Sequence, residues 1–469
     1  MKAKAVPSSW LELDGRRLDC NPYMLGALEA KLLLESMQAR KDKLQTLTRD
    51  GRSGIFHAGR IKRMWVDSPE HGRPFLSSTD ILQADLSNLS FISNKAVAEN
   101  PRLPLHAGWT LITRSGTVGR MAYARPDMED YACSEHVLRV VPDAEKIPPG
   151  YLYAYLSCKF GVPLVVGGTY GAIIQHIEPE HIAGIPVPRL GKSVEGRAGE
   201  LVEESATLLA KYQSAVNDAT KLLFESVGLE DITATEWHLM GRDLEFSVAA
   251  PSVDSLRALN FSPRFQKLVN AVKAAPHKAL GYLVVPGTLQ RGARFKRIDA
   301  APEYSFQLVG QRELFWVKPE GRWIAKSAVG KDVLVEPGTI LVAAQGTLGE
   351  SELYCRAEFI WGPATQLAYS EHLLRVIADE EKMPAGCLYA FMRSEIAFRM
   401  LRSISTGTKL QDHHHVMRAQ LPVPYPSKSV RDEVHHMVVD AYEARHKAVA
   451  LEDQAIALVE KNIEKGVAN

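Results

Sequence analysis

Apolar and polar positions along the 469 residues follow two periods. Residues 192–227 hold no proline and place apolar or small side chains at Leu201, Leu208, Tyr212, Ala215, Ala219 and Leu222. Spacings of three and four predict one long helix with a coiled-coil seam. Residues 426–469 repeat the pattern at Met437, Ala444, Ala448, Leu451, Ala455 and Leu458. Two seams in one register predict two helices packed on each other as an antiparallel coiled coil. Ser205 and Ser226 interrupt the first seam but are small, and the alanines let backbones approach. Elsewhere, short β-branched and aromatic runs alternate with Gly and Pro. WTLITRSG, HVLRVVP, TILVAAQG and HLLRVIAD each predict a strand entering a turn, while residues 25–39 and PGYLYAYLSCKFG predict shorter helices. The expected fold class is α+β, with two mixed α/β globular parts at 1–190 and 230–425 and long helices at 191–229 and 426–469.

The two halves are copies of one another. SEHVLRVV at 134–141 returns as SEHLLRVI at 370–377, and PPGYLYAYL at 148–156 as MPAGCLYAFM at 383–392. At a constant offset of 236, residues 134–154 and 370–390 agree at 14 of 21 positions, which excludes chance. The offset persists through Gly171 and Gly407, Gln175 and Gln411, and the IPVP and LPVP stretches, so the two helical seams belong to the same repeat. Upstream, AGWTLITRSGTVG at 107–119 faces PGTILVAAQGTLG at 337–349 at an offset of 230, which predicts six extra residues in the second copy, expected near FIWGPATQ. Farther upstream only RIKR (60–63) with RFKR (294–297), and NPYM (21–24) with SPRF (262–265), keep company.

Composition narrows the function classes. With 46 % hydrophobic and 24 % charged residues the chain is globular and long enough for two cores. Its five cysteines form no C-x-x-C pair, which argues against a zinc site or disulfide framework and for a reducing, cytoplasmic setting. No signal-like or membrane-spanning run is expected. No phosphate loop occurs: SGTVG and QGTLG are too short and lack the lysine. Nucleophile elbows and H-E-x-x-H helices are also missing. NPYM superficially resembles the N-P-P-Y tetrapeptide of amino-methyltransferases but lacks the second proline and a glycine-rich cofactor loop. His413, His414 and His415 alternate faces on an extended segment, so they cannot share one metal ion; a loop touching DNA or solvent is the better expectation, with no metal site.

Lys and Arg total 56 against 55 acidic residues, so nucleic-acid binding would need local patches. Two exist. Residues 51–73 carry Arg52, Arg60, Lys62, Arg63 and Arg73 against two acids, and residues 291–297 carry Arg291, Arg294, Lys296 and Arg297 with none. The first long helix has four basic and six acidic residues. Basic globular parts joined by an acidic helix suit a molecule gripping a polyanion at two places. Polar groups suited to base edges or phosphates flank the patches. In the first copy the candidate DNA contacts are Arg60, Lys62, Arg63, Arg73, Ser77, Ser78, Thr79, Arg114, Ser115, Thr117, Arg120, Tyr170 and Gln175. In the second they are Arg291, Arg294, Lys296, Arg297, Gln311, Arg312, Gln345, Thr347, Thr408, Lys409, Gln411 and His413.

The R-S-G-T-V-G and Q-G-T-L-G turns, the paired S-E-H-x-L-R-V blocks, the glycine-to-glutamine stretches at 171–175 and 407–411 and the P-V-P exits into long helices resemble the specificity subunit of Type I restriction-modification systems. The resemblance runs over nearly the whole chain and rests on the duplicated order more than on any one motif. It departs where the first copy has Gly171–Ala172 and the second Gly407–Thr408. The resemblance implies two target-recognition domains, each reading half of a bipartite double-stranded DNA site, and no catalysis or cofactor in this chain. It implies as partners two methyltransferase subunits, which would bind S-adenosylmethionine, and motor and nuclease subunits. The exposed helix faces, at Glu203 and Glu204 for example, would dock such partners. The competing expectation is a non-catalytic scaffold whose duplicated domains bind protein or glycan; a self-contained methyltransferase is the poorer third.

Overall fold

The computed structural model describes residues 3–13, 21–167, 176–241, 245–249 and 254–468. The chain folds as two compact units, residues 1–210 with 447–469, and residues 211–446. The junctions after Ala210 and His446 differ by the 236 residues of the sequence repeat, so each unit takes one half of each long helix.

In the first unit, strands Ile55–Phe56, Val137–Val140, Thr110–Thr113 and Met121–Tyr123 lie side by side in that order, all antiparallel. A second sheet has the order Trp65–Val66, Phe91–Ser93, Gly72–Leu76, Ala132–Cys133, the last pair parallel. Lys41–Lys43 pairs with Pro186–Pro188 just before the long helix. The second unit repeats this order with one strand fewer in its second sheet, where the isolated bridge of Asp299 to Ile324 stands in place of Trp65–Val66. Gln290–Arg291, Leu373–Val376, Ile340–Ala343 and Ala357–Phe359 form the first sheet, and Arg322–Ala325, Ser305–Val309 and Ala368–Tyr369 the second, again with a parallel last pair. His277–Ala279 pairs with Pro422–Pro424. The expected strands are therefore present at the centres of both main sheets, where Val, Ile and Leu are buried on both faces.

The six extra residues of the second copy are not near FIWGPATQ. Thr110 faces Tyr123 in one unit and Ile340 faces Phe359 in the other, so the additional length lies in the turn between Ala343 and Ala357. That turn folds inward: the Arg402 guanidinium donates to the Leu348 and Gly349 carbonyls, and Tyr354 and Cys355 are buried.

The long helices run Lys192–Glu225 and Lys428–Ala468. Within each unit they pack antiparallel. In the first, Ser205 donates to the Ala448 carbonyl at 2.7 Å, and Ala198, Leu201 and Val202 share a core with Leu451, Ala455, Val459 and Ile463. In the second, Tyr212 and Tyr442 meet edge to face at 5.3 Å. The expected seam is displaced. Leu201, Tyr212, Ala219, Ala448, Leu451 and Ala455 are buried, whereas Leu208, Ala215, Leu222, Met437, Ala444 and Leu458 are only half-buried, and Leu209, Val216, Leu223, Val438, Arg445 and Val459 lie inside instead. A helix covered by both a partner helix and its own globular part buries a stripe wider than a heptad seam, and 3.6 residues per turn carries that stripe off a strict 3.5 repeat.

A shorter buried helix crosses the long one in each unit, Pro149–Ser157 and Ala385–Met392. The crossing is close because it occurs at glycine. A Cβ on Gly150 would lie 2.6 Å from the Gly199 carbonyl oxygen, and one on Gly386 2.8 Å from the His435 carbonyl oxygen. Both positions meet backbone, which cannot swing aside. Gly150→Ala and Gly386→Ala should each cost roughly 1–3 kcal/mol in chemical denaturation. Gly196, on the same long helix with nothing within 4 Å of its Cβ position, should gain about 0.5–1 kcal/mol on becoming alanine. Equal behaviour of all three variants would refute the close crossing.

Candidate nucleic-acid interface

In the second unit the strand Ser305–Val309 ends in a turn whose Gln311 brackets the Q-G-T-L-G loop. Its amide donates to the Gln345 carbonyl at 2.9 Å and its amide oxygen accepts from the Gln345 N–H at 3.1 Å. Gly346 bridges to Gln411, which joins that loop to the hairpin Ser405–Thr406/Asp412–His413. Arg291 reaches Asp412 of the same hairpin at 3.2 Å, and Arg297 reaches Glu371 at 2.9 Å. These bonds knit the RFKR arm, both turns and the hairpin into one surface. It presents Arg294, Lys296, Arg312, Thr347, Thr408 and Lys409, all exposed. Arg294, Lys296, Arg312 and Lys409 have no ion pair among the described residues, so their charge is available to a polyanion.

The first unit has the corresponding arm, turn and S-E-H block with different side chains, while most of the segment matching the hairpin lies outside the described residues. Arg60 and Lys62 are exposed, and Arg63 holds both carboxylate oxygens of Glu135 at 3.2 and 3.3 Å. Ser77 follows the strand Gly72–Leu76 as Gly310 follows Ser305–Val309; its backbone N–H donates to Asp80, which closes the turn through Ser78 and Thr79. Ser134 donates its N–H to the Leu76 carbonyl and so brings the S-E-H block to that turn. Thr117 and Arg120 are half-buried in the R-S-G-T-V-G loop, where the Arg120 N–H donates to the Thr113 hydroxyl at 2.9 Å. Gly116 and Gly119 adopt φ of 78° and 83°, the left-handed conformation that suits glycine.

Several expected contacts turn elsewhere. Arg114 points inward, donates to the Ile177 carbonyl at 3.0 Å and pairs with Glu178. Glu178 lies 3.4 Å from His57, whose pKa is lowered by burial first and by the Arg114 charge second, against the pull of Glu178. Arg73 pairs with Asp130 at 3.1 Å, beyond the other end of its strand from Ser77. Ser115 is buried against His136 Nδ1 at 2.7 Å. Gln411 is buried and accepts from Arg257 at 2.7 Å. His413 is also inside, against the expectation of a DNA- or solvent-facing loop. It lies 3.1 Å from Cys355 Sγ and stacks on Tyr354, and burial, then Arg418 and Arg291, push its pKa down to about 3. A histidine neutral at physiological pH brings no charge to a phosphate. His414 is buried too, and caps the helix His415–Gln420, while His415 is exposed. Tyr170 and Gln175 lie outside the described residues.

The residue types that sequence reasoning missed are carboxylates and braces. Glu135 and Glu371 pair with Arg63 and Arg297 of the basic arms, and their presence in both copies of S-E-H was the available signal. Burial pulls each carboxyl upward, but hydrogen bonds from its own backbone and from Arg63 or Arg297 outweigh it and hold it below the usual range. Arg257, which also donates to the Ser405 carbonyl, braces the hairpin from a stretch where the copies barely match. Three ligand-bearing groups, His106, Glu129 and Asp130, lie close enough to hold a cation, but they are exposed and Asp130 is already paired with Arg73. No helix among the described residues is long and apolar enough to cross a membrane.

No protein-family model and no curated protein sequence matches the chain. Among solved structures it is similar to the S subunit of a Type I restriction-modification system from M. genitalium, at 10 % identity over 92 % of this chain and 96 % of that one, with a TM-score of 0.37. It is similar to the HsdS subunit from Thermoanaerobacter tengcongensis at 12 % identity, covering 90 % and 96 %, TM-score 0.27. A structure described as underlying complex assembly and conformational transition of the type I R-M system gives 11 %, 90 % and 97 %, TM-score 0.26.

Proposed function

We propose that this chain is the DNA-recognition subunit of a Type I-like restriction-modification complex, with no catalysis of its own. It reads a bipartite duplex with one globular part per half-site and docks two methyltransferase subunits along its long helices. S-adenosylmethionine belongs to those partners, and motor and nuclease subunits complete the assembly where cleavage occurs. The observation that supports this most is the duplicated loop surface: two cation-bearing arms of the same R-x-K-R form, each beside the same turn and the same S-E-H block, with different polar side chains around them. Shared arms supply the sequence-independent phosphate term, and the side chains that differ supply two different base readings. On the helices, Glu204 is paired with Lys447 at 2.8 Å, which leaves Glu203 as the freer of the two proposed docking carboxylates.

Binding of mixed-sequence duplex should fall linearly with salt on a log–log plot, and Arg294→Ala or Lys296→Ala should each weaken it and lower the slope by about one. Salt-insensitive or absent binding by the assembled complex would favour the scaffold reading. The helix Lys192–Glu225 has 34 residues, about 50 Å at 1.5 Å per residue, and in this proposal its length sets the distance between half-sites. Deleting 209–215 together with 445–451 should shorten the preferred spacer by about three base pairs. An unchanged spacer would refute the ruler.

A further inference from the structure

The two basic arms end in the same three-residue arrangement. Arg63 sits 3.2 Å from Glu135, whose other near neighbour is His136 Nε2 at 3.6 Å. Arg297 sits 2.9 Å from Glu371, and His372 Nε2 is again 3.6 Å away. The two carboxylate side chains are 13 % and 14 % exposed, while their arginines keep about a third of their surface in solvent. Sequence around the arms has diverged almost completely, yet this geometry is held in both units. Ile61 and Phe295 pack each arm onto a buried apolar cluster, but no backbone ladder holds it: residues 57–64 and 292–298 are outside helices and strands, and no backbone N–H of residues 60–63 or 294–297 donates to another backbone group among the described residues.

From this we infer that Arg63 and Arg297 are positioning residues and not phosphate contacts: each latches its arm to the S-E-H glutamate, so that Arg60 and Lys62, or Arg294 and Lys296, face the DNA. The inference rests on the DNA-binding reading above but makes a claim that reading does not. Without a latch, Glu135 and Glu371 are negative charges beside a polyanion, and Coulomb's law requires that neutralising them tighten binding. With a latch, neutralising them frees the arm, and the entropy of re-ordering it on DNA weakens binding. Arg63 has a second anchor in this role, its guanidinium lying 5.3 Å from the centre of the Phe75 ring. Glu371→Gln should therefore show the larger effect.

The test uses the full chain, a fluorescently labelled mixed-sequence duplex, and limited trypsin digestion of the free protein. Glu371→Gln and Arg297→Ala should each weaken duplex binding by about three- to tenfold, the double variant no more than either alone, and Glu371→Gln should speed cleavage after Arg294 and Lys296. Glu135→Gln should do the same for Arg60 and Lys62 to a smaller degree. Binding that is unchanged or tighter in Glu371→Gln, or weaker without faster cleavage, overturns the latch and leaves the DNA reading intact. A parent chain that binds no duplex overturns the DNA reading, and with it the purpose assigned to the latch.

Discussion

Each unit depends on one close crossing, where a buried helix of the globular part lies against a long helix at a glycine. Gly150 and Gly386 leave 2.6 and 2.8 Å between a would-be Cβ and the opposing carbonyl. No other residue permits that approach without moving backbone. The crossing fixes the direction in which each long helix leaves its sheets, and the antiparallel partner half-helix then completes the apolar stripe. From Pro149 and Ala385 the chain is carried back to the short pairs Lys41–Lys43/Pro186–Pro188 and His277–Ala279/Pro422–Pro424, which launch the helices.

The two crossings are finished with different chemistry. At the positions of Ala206, Leu209 and Ala122 in the first unit, the second has Tyr442, Arg445 and Glu358. Arg445 reaches Glu358 at 2.9 Å and the Trp316 carbonyl at 2.7 Å, and the Tyr442 hydroxyl joins Glu358 and Tyr389. Burial favours the neutral guanidine, but Glu358 and the tyrosines outweigh it and keep Arg445 charged. Such a pair adds little net stability over apolar packing. Its consequence is registration, because a slip of one turn would bury both charges unpaired at a cost of about 3–5 kcal/mol.

Much of the fold was legible because it occurs twice. The long helices, the strands around Leu111, Leu138, Leu341 and Leu374, and the α+β class follow from pattern and from the 236-residue offset. The seam was misplaced at Leu208, Ala215 and Leu222 because a heptad describes one helix facing one partner, and these helices face two surfaces. The insertion was misplaced because an alignment can open its gap anywhere in a poorly matching stretch, whereas strand register allows one place. Among candidate contacts, the exposed cations of the arms were legible from charge alone. Ser115, Gln411 and His413 were not, since a polar side chain in a turn looks the same in sequence whether it faces solvent or satisfies a buried partner. Arg114 and Arg73 turned away because carboxylates distant in sequence, Glu178 and Asp130, lie beside them.

In the proposed function the molecule is one DNA-recognition surface made twice and tuned separately. Selection from a random duplex library by the purified chain, alone and with a Type I methyltransferase subunit co-expressed with it, tests that claim most directly. The account predicts two short enriched blocks of different sequence separated by a fixed, unspecified gap. A single contiguous block, or no enrichment from a confirmed complex, would contradict it.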